Sequence, residues 1–305
     1  MNYCLKDIFL HNVKIRLRSN HPETLESMCA QMQFPKFRAY PKYIEVSVTL
    51  AVEFHEFKNG RGDSMSSYRG GFQLSSWTKN IQVYANRSND SIHANLLLPN
   101  VLPPETILHL AIIEPLRHIL LSHGMHLLHA AAVVKGKRAI LICCGPAGGK
   151  STLATACISK GFDLLSDEFV IVKGRQLYSF PLKIKLEPKS LPHLGIRNTT
   201  SAVYSFYAQE RFPVKIIEKC KPSLALFIFK GRKRAIRPAL LTRLDAFALL
   251  AHDRINSLTH QQDIQMRRSQ MQALAYIAES AKSYAVTYDL ARAMRIPAIL
   301  ETLIG

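Results

Sequence analysis

Residues Ala139 to Thr152 read A-I-L-I-C-C-G-P-A-G-G-K-S-T. The opening six are all apolar, as in a strand covered on both faces. Gly145, Pro146, Ala147, Gly148 and Gly149 make a turn, and Lys150-Ser151-Thr152 opens a helix. A buried strand, a glycine-rich turn and a helix headed by Lys-Ser together form a cradle for nucleotide phosphates. The glycines let backbone N–H groups curl around the anion. Lys150 reaches the β- and γ-phosphates from a solvent-facing ligand site, and the Ser151 hydroxyl holds Mg²⁺. The positive end of the helix adds to the same field. The plainer alternative is a glycine-rich strand-to-helix turn without a ligand.

The usual spacing for such a loop is G-x-x-x-x-G-K-[ST]. Counted back from Lys150, the first glycine slot falls on Cys144, and Gly145 comes one place late. Two readings stay open. Either the loop is one residue short, or Cys144 adopts a left-handed backbone at a cost of roughly 1–2 kcal/mol.

Outward from this stretch, the chain of 305 residues is long enough for one large domain or two ordinary ones, and its 48% hydrophobic content supplies a core. No segment reaches the run of about 18 apolar residues that a membrane span needs. The best candidate, Ile107 to Leu121, is interrupted by His109, Glu114, Pro115, Arg117 and His118, so no membrane partner is expected. The start, Met-Asn-Tyr-Cys-Leu-Lys-Asp, has no signal-peptide pattern. Six cysteines without a C-x-x-C pair fit reduced core residues of a cytoplasmic protein.

Forty Lys and Arg against 22 Asp and Glu leave a net charge of +18, which favours anionic partners. Most basic groups are scattered. The densest run is Lys230-Gly-Arg-Lys-Arg234, a candidate acceptor patch. No nucleic-acid motif or aromatic-basic stripe stands out, so nucleic acid is not the expected partner.

Residues 1–102 read as a β-rich N-terminal domain. Alternation marks Asn12–Leu17, Tyr43–Phe54, Gly71–Leu74, Ile81–Tyr84 and Ile92–Leu98 as strands, and His21–Met32 as a helix. Pro103-Pro104 marks the junction to a second domain, 103–305. There Thr106–His123 has helical spacing with a kink expected at Pro115. His126–Val134 reads as one buried strand feeding the loop strand, and Ser151–Lys160 as the helix after the loop. Phe162–Ser166 is a short strand ending in Asp167-Glu168, and Lys173-Gly-Arg175 turns a hairpin. Further strands are Pro222–Phe229 and Ser283–Asp289, and further helices Arg243–Leu250, Ile264–Ala281 and Ile296–Leu303.

Phosphoryl transfer needs a phosphate cradle, a metal ion and a group that positions or deprotonates the acceptor. Gly145 to Thr152 supply the cradle. Asp167 and Glu168, adjacent at a strand end, fit the metal and base roles, Glu168 with Ser151 on Mg²⁺ and Asp167 on the acceptor proton. Their alternative is a solvated turn. His129 interrupts an apolar strand beside the loop strand. It is read either as a hydrogen-bonded core residue or as an assistant to Asp167.

The series L-L-H-A-A-A-V-V-K-G-K-R-A-I-L-I-C-C-G-P-A-G-G-K-S-T-L-A, followed by K-G-F-D-L-L-S-D-E-F-V-I-V, resembles the HPr kinase/phosphorylase catalytic domain and its smaller relatives. Those relatives include the kinases that tailor lasso-peptide precursors. The resemblance implies an α/β phosphate-loop kinase core of the HPr kinase and phosphoenolpyruvate carboxykinase type. It places the family's strand histidine, loop Lys and Ser, and acidic pair on His129, Lys150, Ser151 and Asp167-Glu168. HPr kinases usually carry Asp-Asp where this chain has Asp167-Glu168, and their loop keeps the full spacing. The expectation is an ATP- and Mg²⁺-dependent serine kinase acting on an acidic peptide or small protein, with a lasso-peptide precursor as the best-fitting acceptor. A non-catalytic nucleotide-binding regulator and a nucleic-acid-phosphorylating enzyme are the alternatives, and a homo-oligomer is left open.

Overall fold

The computed structural model describes residues 4–11, 13–19, 22–32, 46–53, 63–68, 71–76, 81–86, 91–96, 108–145, 148–180, 182–197, 203–231, 236–255 and 264–305. The chain divides into two compact units, Met1–Met125 with Leu258–Arg268, and His126–Ser257 with Ser269–Gly305. The junction read at Pro103-Pro104 lies outside the described residues.

The first unit holds a seven-stranded sheet in the order β1-β2-β3-β7-β6-β5-β4. Its strands are β1 (Cys4–Leu10), β2 (Val13–Ser19), β3 (Val46–Glu53), β4 (Asp63–Tyr68), β5 (Gly71–Ser76), β6 (Ile81–Asn86) and β7 (Ser91–Leu96). Parallel pairing joins β2 to β3 and β3 to β7, and the remaining neighbours are antiparallel. The helix Pro22–Gln31 buries Leu25 and Met28. The helix expected over Thr106–His123 is split. Leu108–Ile113 is π-helical, and an α-helix runs Glu114–Ser122. Pro115 therefore sits where the π-helical turn passes into the α-helix, in the first turn of the latter.

The second unit is mixed α/β. A six-stranded sheet runs β11-β9-β10-β17-β19-β18, beside a four-stranded sheet β16-β13-β12-β8 and a two-stranded one, β14-β15. The elements are β8 (His126–Leu128), β9 (Ala131–Lys135), β10 (Arg138–Cys143), β11 (Asp163–Ser166), β12 (Val170–Lys173), β13 (Gln176–Ser179), β14 (Ile184–Leu186), β15 (Tyr204–Phe206), β16 (Lys219–Cys220), β17 (Pro222–Lys230), β18 (Ala239–Leu240) and β19 (Lys282–Tyr288). The centre of the large sheet, β10-β17-β19, is parallel.

Alternate residues of β9 and β10 enter two different cores. Ala131, Val133, Ile140 and Ile142 pack with Leu153 and Cys157 of the helix Lys150–Ile158 and with Leu300 of the helix Ile296–Ile304. Ala132, Val134, Ala139 and Leu141 pack with Ala246 and Leu250, and with Leu274 and Ile277. Both faces of the sheet are covered, which explains why these strands read as unbroken apolar runs.

The single strand expected over His126–Val134 is a correction. The chain leaves the four-stranded sheet at Leu128 and enters the six-stranded sheet at Ala131. His129 and Ala130 form the crossing, with the Ala130 N–H donating to the Leu128 carbonyl at 3.0 Å. His129 thus stands at a break between strands, half-buried, and not inside one. No helix among the described residues is long and apolar enough to cross a membrane.

Candidate functional site

The apolar strand β10 delivers the chain to Cys144, and the helix starts at Lys150. The turn between them closes with Gly148 N–H donating to the Gly145 carbonyl at 3.1 Å. Pro146 and Ala147 lie outside the described residues. Gly149 stands just before the helix with φ of 99° and ψ of 19°. The non-glycine residues with positive φ among those described are His11 and Glu168, so Cys144 is not left-handed. That removes the strained reading of Cys144. Among the described loop residues the left-handed position belongs to Gly149.

Two glycines are required by close approach as well. A Cβ on Gly148 would lie 2.3 Å from the Cys144 Sγ, and one on Gly149 would lie 2.2 Å from the Tyr288 hydroxyl. Gly145 has open space around it. Gly149→Ala is therefore expected to cost about 1–2 kcal/mol from its left-handed backbone alone, more from the Tyr288 clash, and to abolish anion binding. Gly145→Ala should change neither. Thermal melts and nucleotide titrations of both variants check this, and identical behaviour would refute the loop geometry.

Lys150 departs from the expectation of a solvent-facing cation. It is only 7% exposed, and its ammonium donates to the Cys144 carbonyl at 3.1 Å. The cation is held inside the loop, where low dielectric strengthens its effect on an anion. Along the same helix, Thr152 Oγ1 donates to Ser190 Oγ at 3.1 Å and Thr155 Oγ1 to the Ser151 carbonyl at 2.7 Å. These bonds fix the first turn.

The acidic pair lies between β11 and β12. Glu168 has φ of 68° in a three-residue turn, across which the Phe169 N–H donates to the Asp167 carbonyl at 2.8 Å. A non-glycine residue held there is strained, and such strain persists only where the surroundings enforce it. Ser166 enforces it. Its buried hydroxyl accepts from the Phe180 N–H at 3.0 Å and reaches the Phe169 and Phe180 carbonyls.

Asp167 is 2% exposed. Burial pushes its carboxyl up to about 7; a hydrogen bond from Ser151 opposes the rise, Glu168 adds to it, and Lys150 opposes it. Its Oδ1 has no hydrogen-bond partner. The loop serine and the acid after β11 thus line one cleft, although 16 positions separate Ser151 from Asp167.

A cleft of about 340 Å³ joins these groups. Gly148, Gly149, Lys150, Ser151, Thr152, Asp167, Glu168 and His129 all line it. The His129 ring also lies 5.6 Å from that of Phe169. Sequence reasoning did not single out Lys185, Lys189 and Ser190 as site residues, yet they line the same cleft, as does Lys230. They arrive from β14, a 3₁₀ turn and the end of β17, so no local motif announced them. Lys189 pairs with Glu187. Arg232, Lys233 and Arg234 of the candidate acceptor patch lie outside the described residues.

The donor set fits Mg²⁺. Among the described residues no three His, Cys, Asp or Glu side chains cluster closely enough to hold a metal unaided. Mg²⁺ does not need such a cage, because it takes one or two carboxylates and completes its shell with phosphate oxygens and water. The Ser151 hydroxyl and the unpartnered Asp167 Oδ1 supply that minimum.

No family model matches the chain, and no curated protein matches it. Among solved structures, the chain is similar to the HPr(Ser) kinase/phosphatase from Coxiella burnetii, at 15% identity and a TM-score of 0.32, over 59% of this chain and 93% of that one. A likeness of that size leaves the reading of the site to its own residues.

Proposed function

We propose that the protein is an ATP- and Mg²⁺-dependent kinase that transfers a phosphoryl group to a hydroxyl, a serine of an acidic peptide or small protein. The observation that carries the reading is one cleft lined by Ser151, at the head of a helix behind a glycine loop, and by the buried carboxyl of Asp167. Loop amides and Lys150 bind the phosphates. When bound, Mg²⁺ neutralises charge on the β- and γ-oxygens. Ser151 and Asp167 hold it. We place the metal on Asp167 in place of Glu168 because of exposure. Asp167 is 2% exposed, whereas Glu168 is half-buried on the cleft and better placed to meet an acceptor. Glu168 orients the acceptor hydroxyl and takes its proton, with His129 beside it. Lys185 and Lys230, on a cleft that Glu187 also lines, are the cations offered to an acidic acceptor. A ribosomal precursor peptide of the lasso type remains the acceptor class proposed from the sequence resemblance.

Incubation with labelled Mg-ATP and a panel of serine-containing acidic peptides tests this, with phosphoserine as the expected product. Nucleotide binding without transfer to any hydroxyl would leave a regulatory protein. Steeply salt-dependent affinity for RNA would favour the nucleic-acid reading.

The basic run after β17 gives a further expectation. Reversal of Arg232, Lys233 and Arg234 to Glu should raise KM for the acidic peptide and leave that for ATP unchanged. The effect should fade with salt, since exposed charges are screened over about 8 Å at physiological ionic strength. An unchanged peptide KM at low salt removes this run from acceptor recognition.

A further inference from the structure

The two-stranded ribbon β14-β15 borders the phosphate cleft. Its pairs are Ile184 with Phe206, Lys185 with Ser205 and Leu186 with Tyr204. Ile184, Leu186 and Phe206 are buried in the core that also holds Leu153 and Cys157, and Tyr204 packs against it. Alternation along a strand therefore turns Lys185 and Ser205 outward. We propose that the acceptor binds as an extended peptide strand added beside β15, with its serine at the cleft end, an inference that rests on the kinase reading.

Three observations support it. The first is the edge. β14 lies against the helix Lys150–Ile158, and among the described residues β15 pairs with β14 alone. The extended backbone continues into Tyr207, with φ of −81° and ψ of 138°. Such an edge offers N–H and C=O groups to another strand. A peptide that adds there gains main-chain hydrogen bonds, and its alternate side chains supply specificity. The second is continuity. Val203, just before β15, is 58% exposed and lines the phosphate cleft together with Lys185 and Glu187. A strand beside β15 thus leads into the space that Lys150, Ser151, Asp167 and Glu168 also line.

The third is charge. Ser205 is small and exposed, so the long side chain of Lys185, on the strand behind it, can reach over it to a carboxylate on the added strand. Neighbouring cations are engaged elsewhere. Lys183 lies over the Tyr207 ring at 5.0 Å, Arg211 lies over Tyr204, and Lys189 pairs with Glu187. The register carried one step further sets Glu187 level with Val203. At that level the exposed valine suits an apolar side chain, and Glu187 opposes a carboxylate. Val203 lines the cleft and Ser205 does not. The preferred acceptor therefore carries an apolar residue nearer its serine and an acid two positions further on, both on one face of the strand.

The test uses the full chain and the best-phosphorylated member of the acidic serine-peptide panel, resynthesised with single N-methyl groups along its backbone. Each N-methyl group removes one amide donor, and on an added strand alternate residues bond to the edge. The peptide KM should rise about fivefold, the scale of one lost hydrogen bond, at alternate positions only, while KM for ATP stays unchanged. Lys185→Glu should raise the peptide KM about fivefold, the scale of an exposed ion pair. A peptide with Lys in place of its acid should restore the KM of that variant. Losses at consecutive positions, or at none, overturn the added strand while the kinase reading stands. So does a Lys185→Glu protein that the Lys peptide fails to rescue. Phosphorylation of no peptide in the panel overturns the kinase reading and the strand with it.

Discussion

Lys150→Ala is expected to abolish phosphoryl transfer while the protein stays folded. The ammonium is held at the Cys144 carbonyl, inside the loop and 7% exposed. A preorganised cation in a dry site acts on developing charge without reorganisation, and loss of one such donor costs roughly 10²–10³-fold in turnover. Here the loss is expected to be larger, because Lys150 also holds the Asp167 carboxyl down against burial. Without it that carboxyl rises further and is protonated at neutral pH, so the variant should lose its Mg²⁺ response too. Retained turnover in a folded Lys150→Ala protein would remove the phosphate-loop reading altogether. Nucleotide titration with and without Mg²⁺ separates the direct loss from the one that runs through Asp167.

What the sequence made legible was local. The strand β10, the turn and the helix head are contiguous, and each carries its own signal of apolar run, glycine pair and Lys-Ser. The acids after β11 were legible because they follow a short strand within the same segment. The break at His129 was not. Both β8 and β9 are buried, so the pattern His126-Leu-Leu-His-Ala-Ala-Ala-Val-Val134 stays apolar across two sheets and no change of period marks the crossing. β1 and β4 passed unnoticed for the opposite reason. C-L-K-D-I-F-L mixes charge into the run, and D-S-M-S-S-Y is almost wholly polar, so neither shows a clean alternation. The burial of Lys150 was also out of reach, because it depends on a carbonyl six positions earlier in a folded turn. Tyr288 is the most distant case. Parallel pairing of β17 with β19 sets it level with Lys230, and no spacing along the chain connects it to Gly149.

Asp167→Asn is expected to inactivate the protein and stabilise it at once. The carboxyl stands at about 7 in the folded chain against an ordinary 3.8, chiefly through burial. When the chain unfolds, the group returns to water and ionises near its ordinary value. Between about 4 and about 7, then, the native state holds a proton that the unfolded state has released. Stability falls as pH rises wherever the native state binds more protons. This group's contribution is therefore greatest below about 4 and is lost progressively as pH climbs through about 7. Asparagine cannot ionise, so the melting-temperature advantage of the variant should be small at low pH and grow up to neutrality. Function runs the other way. Mg²⁺ needs the carboxylate, so below about 7 its affinity should weaken by about tenfold per pH unit, the slope of a single coupled proton. The variant should lose metal-dependent nucleotide binding at every pH. Glu168→Gln is the partner experiment. It should keep the Mg²⁺ response and lose turnover by roughly 10²–10⁴-fold, the range of a general base. Exchanged phenotypes would return the metal to Glu168 and the acceptor proton to Asp167. Near-normal rates in both variants would reduce the pair to a strained turn.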